Sequence, residues 1–223
     1  AIIGILASIL LPSLIKARNK SIDTLCISNL KQQGIGTQSH PLDNKGNLPV
    51  AAFNYGAING NPLQYKYSIS PYLLGTHLPL PPTHKASSAD IRYVQGAFLC
   101  PRAPQVVLDA RGGYGWNYQF LGQAEHLIVK GPKKISLLTN PSTTLLAGDA
   151  ANAGTSTVHD YNYIRKDKAS SDPSTVSIRH NAGRGGNYLM GDASAKAFSR
   201  VSILGPNITY WFLHQDYDNR VFY

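Results

Sequence analysis

The first fifteen residues, Ala1 to Ile15 (AIIGILASILLPSLI), carry no charge, and Lys16, Ala17, Arg18, Asn19 and Lys20 follow at once. A helix that is apolar all round must be covered, either by lipid or by other protein. Fifteen residues fall short of the roughly 20 needed to span a bilayer. No basic segment precedes them and no clear small-residue cleavage site follows, so the pattern is not that of a signal peptide. The stretch reads as a hydrophobic segment entered midway.

Past Lys16 the pattern becomes amphipathic. Ile15, Ile22, Leu25, Cys26, Leu30 and Gln33 fall on roughly one helical stripe, while Lys16, Arg18, Lys20, Asp23 and Lys31 lie mostly elsewhere. One helix over residues 1–38 is therefore expected, apolar all round in its first half and one-faced in its second. Gly34-Ile35-Gly36 weakens its end, and His40-Pro41 is expected to stop it. At 1.5 Å per residue such a helix is about 57 Å long, more than one small domain can cover, so half of it must project. Gly4 and Pro12 mark a stretch able to kink or melt, because proline removes a backbone hydrogen bond and clashes with the preceding turn.

The remaining residues, 39–223, are expected to form one head domain. The chain has 223 residues, enough for one domain with an appendage. Charged residues make up only 15%, while Gly, Pro, Tyr, Asn and Ser are plentiful, a loop-rich composition of extracellular type. The net charge of +9 arises from scarce acids, Glu125 being the only glutamate. A basic chain can take nucleic acid, acidic glycans or anionic membrane as partners. Yet the densest group, Lys130, Lys133 and Lys134, lacks the aromatic interleaving of a single-strand binder and reads as solvated surface. Cys26 and Cys100 are the only two cysteines. In an exported chain they are compatible with one disulfide, the alternative being two unrelated buried thiols.

Beyond Pro41 the reading is of short elements between turns. A short helix is expected near Ser68–Leu74, and a brief buried strand at Ala97–Cys100 ending at Pro101. Further strands are expected at Gly113–Phe120, at Thr143–Ala147 closing at Gly148-Asp149, at Thr175–Arg179, at Asn187–Met190 and at Ala195–Ser199. Ala182–Gly186 reads as a Gly-rich turn, Leu78–His84 as an extended proline-rich loop, and Ile208–Leu213 with Val221–Tyr223 as an edge strand. The expected fold is α+β, a long N-terminal helix packed on an antiparallel sheet with long loops.

The order of residues in AIIGILASILLPSLIKARNK, with Gly4, Pro12 and the switch to basic residues at Lys16, resembles the N-terminal segment of type IV pilins and type II secretion pseudopilins. In that family a peptidase cleaves after a glycine and the new N-terminus is methylated; the residues concerned would lie upstream of Ala1. Cys26-Ile27-Ser28-Asn29-Leu30-Lys31-Gln32, Asp43-Asn44-Lys45-Gly46-Asn47-Leu48-Pro49, Cys100-Pro101, Asn140-Pro141-Ser142 and Leu145-Leu146-Ala147-Gly148-Asp149 are similar to a pseudopilin group of planctomycete- and lentisphaera-type bacteria. So is the late segment from Arg179-His180 to Gly191-Asp192, whose motif in that group is His followed by Asp-Gly. Here eleven residues separate His180 from Asp192 and Ala193 stands where glycine is usual, which predicts a longer hairpin turn.

Catalytic and metal motifs are not recognised. HExxH, CxxC and GxSxG are absent from the sequence. His180 and Asp192 are read as tying a hairpin, rather than as a metal or hydrolase cluster with Asp149. His159-Asp160 reads as a loop pair. Asp216 and Asp218 supply too few oxygens for calcium. Gly183-Arg184-Gly185-Gly186 reads as a hairpin turn rather than a phosphate cradle, and Asn207-Ile208-Thr209 is a weak glycosylation signal.

The resemblance implies a structural, non-enzymatic subunit with no cofactor. It would polymerise with copies of itself through Ile2, Ile3, Ile5, Leu6, Ile9, Leu10, Leu11 and Leu14, with Gly4 to Pro12 locally extended in the filament. It would be anchored in the inner membrane before assembly and stand on the bacterial surface afterwards, its partners being other copies and the pilus or secretion assembly machinery. The alternatives are a secretion-system pseudopilin and a surface module binding DNA or acidic glycans.

Overall fold

The computed structural model describes residues 2–50, 52–53, 63–77, 96–103, 113–117, 121, 133–152, 163–164, 174–176 and 179–199. The proline-rich loop, Lys130, His159-Asp160, Asn207-Ile208-Thr209, Asp216, Asp218 and the expected C-terminal edge strand lie outside these residues.

A single helix, α1 (Ile2–Asp43), runs unbroken through Pro12. At 1.5 Å per residue it is about 63 Å long. It passes the expected stop at His40-Pro41 and ends instead at Lys45-Gly46, both with positive φ (55° and 79°). Gly46 N–H donates to the Pro41 carbonyl at 2.8 Å and the Asn44 amide donates to the His40 carbonyl at 2.8 Å. These bonds satisfy carbonyls that a helix end leaves open. Proline so near the end disturbs only one turn, and Pro41 is buried.

The second half of α1 docks on the head through a stripe that differs from the expected apolar one. Cys26, Asn29, Leu30, Gln33, Gly34, Gly36, Thr37 and Pro41 are buried, whereas Ile15 and Leu25 stay half exposed. The stripe is part polar because α1 bonds the head directly. Asn29 Nδ2 donates to the Leu99 carbonyl at 2.9 Å and Gln33 Nε2 to the Ala97 carbonyl at 2.7 Å. Those carbonyls belong to a 3-10 turn, Gly96–Phe98, and to Leu99 just after it, where a strand was expected. Burial was read correctly there, but the partners are side chains of α1 and not a neighbouring strand. Gly34 and Gly36 are contact points, not weak ones. A Cβ on Gly34 would lie 2.9 Å from Leu189 Cδ1, and one on Gly36 would lie 3.2 Å from Ile69.

The head has a small hairpin, β1 (Ala52–Phe53) with β2 (Leu63–Gln64), leading into α2 (Tyr65–Leu74), which packs on α1. The main sheet is built on four antiparallel strands in the order β3 (Tyr114–Asn117), β4 (Leu145–Asn152), β7 (Gly185–Met190) and β8 (Ala195–Ser199). Two short strands extend it. β5 (Tyr163–Ile164) pairs parallel with β3, and β6 (Ser174–Val176) pairs antiparallel with the far end of β4. The α+β class is as expected, although β4 continues through Gly148-Asp149. Gly148 permits this, because a Cβ there would collide with the Tyr188 ring on the paired strand. Leu30 and Ile69 from the helices meet Phe98, Tyr114, Trp116, Leu146 and Leu189 in one core.

Candidate functional site

Two features stand out from this frame: the uncovered half of α1, and a buried cluster where α1 enters the head.

Every residue from 2 to 21 is exposed, about 30 Å of helix. Ile2, Ile3, Ile5, Leu6, Ile9, Leu10, Leu11 and Leu14 are each 55–83% exposed. The helix is long and apolar enough, by length and composition, to cross a membrane. Its two hydroxyl side chains in the apolar stretch are satisfied internally. Ser8 Oγ donates to the Ile5 carbonyl and Ser13 Oγ to the Leu10 carbonyl, both at 2.7 Å. Such back-bonding removes the penalty of taking a hydroxyl out of water. Gly4 has no neighbour within 4 Å of a built Cβ. The stretch holding Gly4 and Pro12 is therefore helical and uncovered on all sides.

The second feature was not expected. Cys26 of α1, Cys100 after the 3-10 turn, Asp149 of β4 and His180 ahead of β7 converge in the interior, each at most 2% exposed. The Cys26 and Cys100 sulfurs are 3.6 Å apart as free thiols. Cys100 Sγ lies 3.5 Å from both Asp149 Oδ1 and His180 Nε2. His180 Nε2 is 3.2 Å from the Asp149 carboxylate, and its Nδ1–H donates to Asp23 Oδ1 at 2.8 Å. The Asn187 backbone N–H donates to Asp149 Oδ2 at 2.7 Å, and Arg102 Nε donates to Asp23 at 3.0 Å. Tyr114 Oη donates to the Cys26 carbonyl at 3.2 Å, fixing that turn of α1 against β3.

Burial pulls the His180 pKa down, but its bonds to Asp149 and Cys100 outweigh that and raise it to about 10. Without another cation in the cluster the ring is thus an imidazolium between two carboxylates. Burial is the main cause that pushes the Cys100 thiol well above its ordinary value, reinforced by Cys26 and by the Asp149 charge.

His180 and Asp192 do not tie a hairpin together. They sit at opposite ends of β7, roughly 20 Å of strand at 3.3 Å per residue. Asp192 instead accepts from its own turn, from Ser194 N–H at 2.9 Å and Ser194 Oγ–H at 2.6 Å. Asn181-Ala182-Gly183 forms the Gly-rich turn, all three residues at positive φ. Ala193, in the turn after β7, also takes positive φ (62°). The disulfide expected between Cys26 and Cys100 is not formed in this structure, where both are free thiols, although the two sulfurs do meet in the cluster. A cluster of His180 with Asp149 was set aside in favour of a hairpin tie to Asp192, and no spacing motif joined either residue to the thiols.

The long apolar helix and antiparallel sheet are compatible with a pilin-like fold, and no protein-family model, curated protein or solved structure matches the chain.

Proposed function

We propose that this chain is a structural subunit of an extracellular, type IV pilus-like filament. The observation that carries this reading is the exposed apolar face of α1, Ile2 to Leu14, on a helix whose other half is anchored in a folded head. Moving a Leu or Ile side chain from water to an apolar environment gains about 1.5–3 kcal/mol. Eight of them together rival the whole stability of a typical domain, so this surface is covered in the working state. Lipid covers it while the subunit is anchored in the inner membrane, and the helices of neighbouring copies cover it after assembly. The sheet domains then form the outer coat. In the filament the helix extends locally between Gly4 and Pro12, where proline has already removed one hydrogen bond. The role is that of a building block and requires no catalytic group or cofactor.

Negative-stain microscopy of material sheared from the source cells, with mass spectrometry of the same fraction, tests this reading. Long thin fibres composed chiefly of this chain are expected. The chain confined to the cell envelope, with no fibres, would remove the pilus and leave the secretion pseudopilus or an anchored module that binds DNA or acidic glycans.

A further inference from the structure

We propose that Cys26 Sγ, Cys100 Sγ, His180 Nε2 and an Asp149 carboxylate oxygen form a closed four-ligand site for a divalent cation of the zinc class, fastening α1 to the sheet.

Four of the six separations among these ligand atoms match those of a tetrahedron around such an ion. Zinc binds thiolate at about 2.3 Å and imidazole or carboxylate at about 2.0–2.2 Å. Tetrahedral angles then place two sulfurs about 3.8 Å apart, sulfur and nitrogen or oxygen about 3.5 Å apart, and nitrogen and oxygen about 3.3 Å apart. The corresponding distances here are 3.6 Å for Cys26–Cys100, 3.5 Å for Cys100–His180 and Cys100–Asp149, and 3.2 Å for His180–Asp149. The ligand atoms of Cys26, Cys100 and His180 all lie within 4.8 Å of one another. Two thiols, an imidazole and a carboxylate are also a donor set that zinc favours over the hard cations, which take oxygen.

The surrounding residues hold the ligands as a metal site requires. The Nδ1–H of His180 is given to Asp23, which aims Nε2 inward at the other three ligands. That carboxylate–histidine arrangement orients a ligand and increases its basicity. Asp149 is held in turn by the Asn187 backbone N–H, and Asp23 by Arg102. On binding, both thiols and the imidazolium release protons to solvent, so the ion meets two thiolates, a neutral imidazole and a carboxylate. With all four positions taken by protein, none is left for a substrate, which makes the site structural.

The four ligands come from four separate pieces of chain, with sequence separations of 74 between the cysteines, 49 from Cys100 to Asp149 and 80 from Cys100 to His180. One ion would therefore cross-link α1, the 3-10 turn, β4 and the entry to β7. Cys26 is the first buried residue of α1, where any pull on the projecting helix enters the head.

The test uses the full chain in detergent, purified under reducing conditions. Elemental analysis is expected to find about one zinc per chain. After chelation, titration with Co²⁺ alone should give tetrahedral d–d bands and sulfur-to-cobalt charge transfer saturating at one equivalent, and Zn²⁺ should displace it. His180→Ala and Cys26→Ser should abolish the charge-transfer signal. Asp23→Asn, which keeps every ligand, should weaken metal affinity about 10- to 100-fold. Should the ligand variants fail to fold, the cobalt titration of the unmutated chain decides alone. Absence of cobalt bands in the reduced chain overturns the proposal, and so does a Cys26–Cys100 disulfide in the chain isolated without reductant. Uptake that survives the Cys26→Ser, Cys100→Ser double variant would place the ion elsewhere and overturn it too.

Discussion

His180 and Asp23 are 157 positions apart in sequence, yet the imidazole Nδ1 of one lies 2.8 Å from Oδ1 of the other. This contact joins the turn before β7 to α1 at the point where the helix leaves the head. Asp23 is also gripped by Arg102, which reaches the Asn19 carbonyl as well at 3.1 Å.

Removing that carboxylate leaves a buried histidine without its outer partner. Asp23→Ala is expected to destabilise the head by about 1–3 kcal/mol, the usual range for orphaning a buried polar group. A urea melt followed by tryptophan fluorescence measures it, since Trp116 is fully buried in the adjoining core. An unchanged midpoint would mean that the helix is held by its other contacts alone.

Close approach of α1 to β7 and the turn after it gives a second test. A Cβ on Gly34 would lie 2.9 Å from Leu189 Cδ1 and 3.1 Å from the Ala193 Cβ. Gly34→Val should therefore lower stability by about 1–3 kcal/mol through overpacking. Gly4→Ala, in the same helix but with nothing within 4 Å, should leave the melting of the head unchanged. Equal effects of the two substitutions would contradict the docking register of α1.

Asp192 provides a pH-dependent reading of the turn after β7. Partial burial pushes its carboxyl up, but the Ser194 hydroxyl and amide and the Lys196 charge more than reverse this, leaving it below the ordinary 3.8. A lowered folded-state pKa contributes stability that is present above 3.8 and lost as pH falls through the folded value. Carboxyl NMR titration should place Asp192 below the usual aspartate range, and Ser194→Ala should move it back up. The stability difference between the two proteins should shrink as the pH is taken below the folded value.

Much of the frame was legible in the sequence, because burial periodicity and composition are local signals. The uncharged run to Ile15 marks the projecting helix, and the expected strand at Ala195–Ser199 coincides with β8. The end of α1 was misjudged because a proline in the last turn disturbs few bonds, while Lys45-Gly46 supplies the actual stop. The docking stripe was obscured because Asn29 and Thr37 look solvent-facing until the head brings the Leu99 carbonyl for Asn29 to bond. The cluster was hidden for a different reason. A His180–Asp149 cluster was set aside for want of a spacing motif, and Cys100 was noted in its own segment; what unites them is the antiparallel register that places Gly148 opposite Tyr188, and the docking of α1 that adds Cys26. Neither is a local property.

The exposed face of α1 makes the last prediction, and it bears on the filament itself. Leu10 and Ile5 are 63% and 61% exposed in the isolated subunit, so an aspartate at either place is harmless to the folded head. The same aspartate buried among neighbouring helices would be an unpaired charge in an apolar medium, which costs far more than the contacts of one leucine could return. Leu10→Asp and Ile5→Asp are therefore expected to leave the head's near-UV circular dichroism unchanged while abolishing fibres in sheared fractions. Leu137→Asp, on the head surface with the parent residue 50% exposed, should leave fibres present. Normal fibres from Leu10→Asp would show that this face of the helix is not packed in the assembly. Loss of fibres from Leu137→Asp alone would move the contact between subunits from the helix to the head.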